Sequence, residues 1–386
     1  MRILIFSTDD HLYPAGGAEQ AFGNIADRLP HIEFDLVCAR LRKGVKKQET
    51  VRNVHIHRLG FGIPRIDGYI LALFGHLYAH KLLKKHTYDL IWSVMASYGA
   101  FSAVRLKKQT GLPILLTLQE GDALEYIYGK VWFVRKAFDN IFKNADGIQA
   151  ISTFLLNWGT SMGYKGVFGR VIPNGVSLDT FTQTFAPEEI AQTRSSFGFN
   201  ENTTILFTSS RLEKKNGIRD VIDALPGLPE NVCFVVCGGG SLDEVLKKQV
   251  ASLGLSDRVC FMGFVDPSEL PLLMRASDIF IRPSLSEGLG TAFLEAMAAG
   301  LIIIGTPVGG IPDFLIDGET GFTAEVENSL SIVQAVKRVI DLDADAKKAI
   351  LKRTREMVEK TYNWDVVSAQ METLFKELIE HASNRS

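Results

Sequence analysis

Glu287 and Glu295 bracket seven residues in the segment SEGLGTAFLEAMAAG (286–300), and these two carboxylates are the chain's strongest candidates for chemistry. The flanking run DIFIRPS (278–284) reads as a buried strand, TAFLEAMAA (291–299) as a short helix and LIIIGT (301–306) as the next strand. Gly288 and Gly290 fall in the turn, and Gly300 stops the helix. Glu287 therefore belongs to a loop at a strand's end, and Glu295 lies about one turn into the helix. Between them the helix N-terminus leaves backbone N–H groups free, a site suited to anionic oxygen. Two acids beside such a site suit a ligand that carries both hydroxyls and phosphate, as a nucleotide sugar does.

The elements needed to hold these residues recur along the chain. RILIFSTD (2–9), FDLVCAR (34–40), DLIWSVM (89–95), ILLTLQE (114–120) and DGIQAIS (146–152) read as strands. The stretches 18–29, 70–85 and 131–144 between them carry helical patterns. The alternation restarts at TILFTSSR (204–211) and continues through CFVVCGG, VCFMGFV, DIFIRPS and LIIIGT. Strands alternating with helices imply parallel sheets covered on both faces. The expected architecture is two tandem Rossmann-like, doubly wound α/β domains, 1–185 and 186–364, facing a central cleft. A last amphipathic helix within 365–386 could pack on either domain, including back on the first. In such sheets ligands bind beyond the carboxyl ends of the strands.

Length and composition fit a two-domain globular enzyme: 386 residues, 46% hydrophobic and 22% charged. No apolar run approaches the roughly 20 residues that span a bilayer. MRILIFSTD reads as a first strand and not a signal peptide, so the cytoplasm is the expected location. The spacing of Cys38, Cys233, Cys237 and Cys260 matches neither a zinc site nor a disulfide framework, which leaves buried thiols. Residues 1–185 hold 22 Lys+Arg against 15 Asp+Glu, a balance of +7, and the remainder holds 20 against 29, a balance of −9. A basic first half would meet an anionic surface or acceptor, although the same imbalance also arises from solvated charge. The acidic second half and the lack of a recognition motif argue against nucleic acid.

Taken together, PAGGAEQ (14–20), IPNGVSLDTF (172–181), SRLEKKNG (210–217), VVCGGG, FMGFV, the 286–300 element and PVGGIPDFLIDGETGF (307–322) resemble glycosyltransferase family 4. These are retaining enzymes with the two-Rossmann architecture called GT-B. The resemblance runs over nearly the whole chain and implies transfer of a hexose from a nucleoside-diphosphate sugar to a hydroxyl of a glycan or lipid-linked acceptor. It implies that Arg211 and Lys215 neutralise the leaving diphosphate, that Glu287 contacts the donor sugar, and that Glu295 accepts hydrogen bonds from the ribose hydroxyls. Lys214 competes with Lys215 for its part. Backbone groups of Gly288, Leu289, Gly290 and Thr291 would bind sugar or phosphate, the backbone around Phe264 would seat the base, and the loop of Gly16 and Gly17 would approach donor and acceptor. The nucleotide sugar is a co-substrate, and no cofactor is expected. The acidic run DLDADAK (341–347) reads as a solvated helix terminus, so no metal is expected either.

One loop departs from the family. Many relatives carry His beside Asp in the strand-end loop of the first domain, whereas this chain reads LQEGD (118–122). Glu120 and Asp122 are the acceptor-side candidates there, Glu120 as a hydrogen-bonding partner and Asp122 as a proton acceptor. The stretches 70–85 and 128–143 mix aromatic, aliphatic and basic residues, a composition compatible with peripheral contact at the inner membrane face as well as with simple core packing. Two alternatives remain on the same fold: a sugar-nucleotide epimerase, and a non-catalytic glycan-binding protein.

Overall fold

The computed structural model describes residues 1–384 apart from His11, residues 13–16 and Glu201. The chain divides into two compact units, Met1–Asn174 with Trp364–Ser386, and Gly175–Asn363.

The first unit is built on a sheet of eight strands: β1 (Arg2–Phe6), β2 (Glu33–Ala39), β3 (Gln48–Val51), β4 (Val54–Leu59), β5 (Leu90–Val94), β6 (Ile114–Leu118), β7 (Gly147–Ala150) and β8 (Phe168–Val171). Their order is β3-β4-β2-β1-β5-β6-β7-β8, parallel except for the β3–β4 hairpin at one edge. The five expected strands are present. The hairpin and β8 lie outside the expectation, because QETV, VHIHRL and FGRV mix polar, glycine and apolar residues too evenly for a buried run. The strand order reverses between β1 and β5, which puts a crevice at their carboxyl ends.

The second unit holds β9 (Thr204–Ser209), β10 (Val232–Cys237), β11 (Val259–Gly263), β12 (Ile279–Arg282), β13 (Ile302–Gly305) and β14 (Phe322–Thr323). All six are parallel in the order β11-β10-β9-β12-β13-β14, and the switch point lies between β9 and β12. Ile, Val and Phe fill these strands because helices cover both faces.

The boundary falls at Asn174/Gly175, ahead of the expected 185/186. Residues 175–185 belong to the second unit because Val176 donates its N–H to the Tyr362 carbonyl (2.6 Å) and Phe181 is buried. From Trp364 onward the chain rejoins the first unit. The Trp364–Ser383 helix contributes Val367, Met371, Leu374, Phe375 and Leu378 to that unit's core, with the Phe375 ring 5.1 Å from Trp92.

The cysteines are unpaired: Cys38, Cys233 and Cys237 are buried and Cys260 partly so. Among the described residues no helix is long and apolar enough to cross a membrane. Phe375 has no solvent exposure, so Phe375→Ala should destabilise the protein by about 3–5 kcal/mol. Chemical denaturation followed by tryptophan fluorescence checks this through Trp92.

Candidate active site

The segments that carry Arg211, Lys215, Glu287 and Glu295 leave the two strands of the β9/β12 switch point, whereas Phe264 follows the edge strand β11. β9 runs out into the Ser210–Asn216 loop, which carries Arg211 and Lys215, and β12 runs out into the loop that carries Glu287. The two loops are joined directly, because Leu285 N–H donates to the Lys215 carbonyl at 2.7 Å. They also press together at Gly217, whose φ is +67° and where a Cβ would lie 2.0 Å from the Pro283 carbonyl oxygen. Only glycine meets both demands. Within the basic loop, Asn216 Nδ2 donates to the Arg211 carbonyl at 2.6 Å. Glu213 accepts from Ser241 N–H (3.0 Å) and its hydroxyl (2.7 Å), which lowers the Glu213 pKa, helped by Arg211 and Lys215 nearby. Lys214 lines a separate recess with Ile218, Leu242 and Glu327.

The acidic loop is organised by a residue absent from the candidate set. Arg282, the last residue of β12, is only 6% exposed. Its Nη2 donates to Glu287 Oε2 at 2.6 Å, and its guanidinium lies 4.8 Å from the centre of the Phe293 ring. Glu287 Oε1 accepts from the Gly288 N–H at 3.1 Å, so the carboxylate is held at both oxygens. The signal for Arg282 was present in the sequence as a charge inside the otherwise apolar IFIRP run.

Glu295 sits in the Thr291–Ala299 helix, bounded as expected by Gly290 (φ +95°) and Gly300 (φ +85°). Burial pushes its carboxyl up to about 7, and the positive field of Arg282 offsets part of that rise. One guanidinium thus acts on both acids. Among the described residues the Arg282 Nε has no hydrogen-bond partner, a buried donor left open in the middle of the site.

Gly288, Leu289 and Gly290 are buried and Thr291 partly so, at the helix's start. Phe264 follows β11 and is 84% exposed, an open aromatic face at the same end of the sheet. The CGGGS turn (237–241) buttresses the basic loop from the other side: a Cβ on Gly238 would lie 1.9 Å from the Ser210 carbonyl oxygen. The 341–347 acids serve as helix ends, with Asp343 Oδ1 accepting the Ala346 N–H at 2.7 Å.

In the first unit Gly17 opens the Gly17–Arg28 helix after β1 and is exposed, with open space where a Cβ would stand. Gly16 lies outside the described residues. Glu120 follows β6 and is buried. Its Oε1 accepts the Ala96 N–H at 2.8 Å and its Oε2 the Gln119 N–H at 2.9 Å, tying the β5 and β6 loops. Burial still raises its carboxyl to about 7 against the backbone N–H groups that oppose it. Met95 beside it has φ +67°, a strained conformation for a side chain of that size. Glu120 and Asp122 line one cavity of this unit.

Two family models match successive parts of the chain, glycosyltransferase family 4 over residues 15–180 and glycosyl transferases group 1 over residues 189–364. The chain belongs to glycosyltransferase family 4, group 1. Relatives of this family-4 chain include the N-acetyl-alpha-D-glucosaminyl L-malate synthase of Bacillus anthracis, 27% identical over 96% of this chain and 97% of that one. The GDP-mannose-dependent alpha-(1-6)-phosphatidylinositol monomannoside mannosyltransferase of Mycobacterium tuberculosis is 27% identical over 75% and 76%. The sucrose-phosphate synthase of Thermosynechococcus elongatus superposes with a TM-score of 0.86 at 21% identity, covering 98% of this chain and 99% of that one. The family-4 chain therefore has the GT-B fold.

Removing the guanidinium from this glycosyltransferase should leave two partly buried acids without their shared cation. Arg282→Met is expected to cost about 3–5 kcal/mol of stability, since it breaks a buried ion pair from one side. It should also raise the Glu295 midpoint above about 7. Denaturant unfolding measures the first effect, and carboxyl-carbon NMR titration the second.

Proposed function

We propose that this glycosyltransferase moves a hexose, with retention at the anomeric carbon, from a nucleoside-diphosphate sugar to a hydroxyl of a glycan or lipid-linked acceptor. The reading rests chiefly on the Lys215–Leu285 bond, which brings the basic and acidic loops together at the switch point. Breaking the bond between the sugar's anomeric carbon and the diphosphate leaves negative charge on the departing oxygen. Arg211 and Lys215 stabilise that charge, in place of the metal that other transferases use. Glu287, held at both oxygens, meets sugar hydroxyls through its remaining lone pairs and offsets positive charge at the anomeric carbon. Glu295 holds the ribose diol, and Phe264 marks the base-binding backbone. N–H groups from Gly288 to Thr291 and the loop of Gly17 contact sugar or phosphate. Asp122 takes the proton of the acceptor hydroxyl, and Glu120 hydrogen-bonds the sugars. The GDP-mannose named for the mycobacterial relative supports a nucleotide-sugar donor, and its phosphatidylinositol mannoside supports a lipid-linked acceptor.

Thermal-shift measurements with UDP-, GDP- and ADP-sugars test the reading first, because a bound donor raises stability by mass action. No shift with any of them would overturn it. Once a donor is known, Arg211→Ala should lower kcat by roughly 10²–10³ with little change in KM, the usual effect of losing one transition-state charge partner. Unchanged kcat removes Arg211 from the mechanism.

The Glu295 carboxyl carries a further consequence. Only the ionised form accepts from both ribose hydroxyls, and its midpoint in the free protein is about 7. Nucleotide affinity should hold steady above that pH and fall as the pH drops through it. Glu295→Gln should flatten this profile and weaken binding about tenfold to a hundredfold, the effect of one charged hydrogen-bonding partner. Calorimetric titration between pH 5.5 and 8.5 reads both.

A further inference from the structure

In the first unit the Pro64–Leu83 helix is apolar on two opposite sides. Asp67 sets its start, accepting the N–H groups of Phe61, Gly62 and Ile63 at 2.7–2.9 Å. Leu71, Ala72, Gly75, Ala79 and Leu82 pack inward. Ile66, Tyr69, Leu73 and Leu77 recur at helical spacing on another face, each about half exposed (49–51%). A helix that is hydrophobic all round normally has apolar material on every side. Here one side is bare.

That face shares a cavity of about 520 Å³ with the Leu124–Asn144 segment. Tyr69, Leu73, Phe101, Val131, Phe133 and Val134 form apolar walls. Beyond the walls the aromatic surface continues through Trp132, 76% exposed, whose ring meets Phe133 edge-on at 6.1 Å. Residues with polar groups complete the lining: Ser97, Tyr98, Glu120 and Asp122. Lys130 also lines the space, and both it and Arg65 act electrostatically on the Tyr98 hydroxyl. Neither cation has an ion-pair partner among the described residues. The volume lies within the roughly 300–1,000 Å³ of small-molecule sites, and an apolar enclosure with few convergent polar groups is their usual make-up.

We infer that this cavity binds the hydrocarbon chain of an amphipathic, anionic acceptor, whose hydroxyl meets Glu120 and Asp122 while its anionic group meets Lys130 and Arg65. The inference rests on the transferase reading above and narrows it to a lipid-linked acceptor. Each Glu120 oxygen already holds one N–H and keeps a lone pair for a hydroxyl donor. The apolar walls give the chain a place out of water, and the cation pair selects an anion beside it.

Leu73→Asp puts a charge on the wall and Ala137→Trp fills the space. Both positions are exposed in the protein, so the fold should survive, which circular dichroism verifies. The probes are n-decyl phosphate and, lacking the chain, inorganic phosphate. Decyl phosphate should bind the parent protein at least tenfold more tightly than inorganic phosphate, and each variant should lose at least tenfold in decyl phosphate affinity. Thermal shifts with the nucleotide-sugar donor should stay unchanged in both variants. Equal affinity for the two probes, or full decyl phosphate affinity in both variants, overturns the inference. So does a result in which the variants lose only sedimentation with phosphatidylglycerol vesicles, since the face would then be a bilayer contact. A parent protein that discriminates the probes but shows no donor shift overturns the transferase reading instead, which keeps the two failures apart.

Discussion

The acidic half of the site depends on the pairing of Arg282 with Glu287. A guanidinium at the end of a buried strand loses several kcal/mol of hydration, and only a well-placed partner makes that tolerable. Glu287 supplies the partner at 2.6 Å, and the face of Phe293 covers the guanidinium at 4.8 Å. The pairing, with the Gly288 N–H, holds the Glu287 carboxylate at both oxygens through groups that folding itself brings together. The same charge holds the Glu295 pKa below where burial alone would put it. The two acids therefore share one counter-ion.

Backbone contact, more than side-chain packing, keeps the loops in place around this pair. Gly217 meets the Pro283 carbonyl, Gly238 meets the Ser210 carbonyl, and Gly309 (φ +56°) lies where a Cβ would stand 1.7 Å from the Glu287 carbonyl oxygen. Each glycine lets one strand-end loop rest directly on another's main chain. Side chains on such loops inherit positions from backbone that has little room to shift, which suits a site that must present charge in advance of reaction.

The sequence made local features legible and distant ones obscure. The Thr291–Ala299 helix is read to its ends because Gly290 and Gly300 adopt the left-handed conformation that glycine signals. The Pro64–Leu83 helix begins six residues before the expected 70, because Asp67 caps a loop whose N–H groups carry no pattern of their own. The helix expected over 131–144 is interrupted by a tight turn at Trp132–Val134, where exposed aromatic side chains have no packing to hold a regular helix. Arg282 is not legible as a site residue in the sequence because its importance comes from Glu287 and Phe293 together, a conjunction that exists only in the folded loop. The unit boundary moved because a single bridge, Val176 to Asn363, joins residues remote in sequence.

Glu120 and Glu295 show how one physical cause serves different surroundings. Both carboxyls are raised to about 7 by burial. Glu295 is opposed by a cation, whereas Glu120 is opposed only by backbone N–H groups. Backbone donors ordinarily hold a carboxyl low, and at Glu120 burial outweighs them. Part of that burial comes from the apolar lining it shares with Leu73, Phe101 and Phe133. Apolar matter filling that cavity would deepen the burial of Glu120 and favour the protonated acid further. Glu120 would then become a donor as well as an acceptor toward a hydroxyl in the cavity.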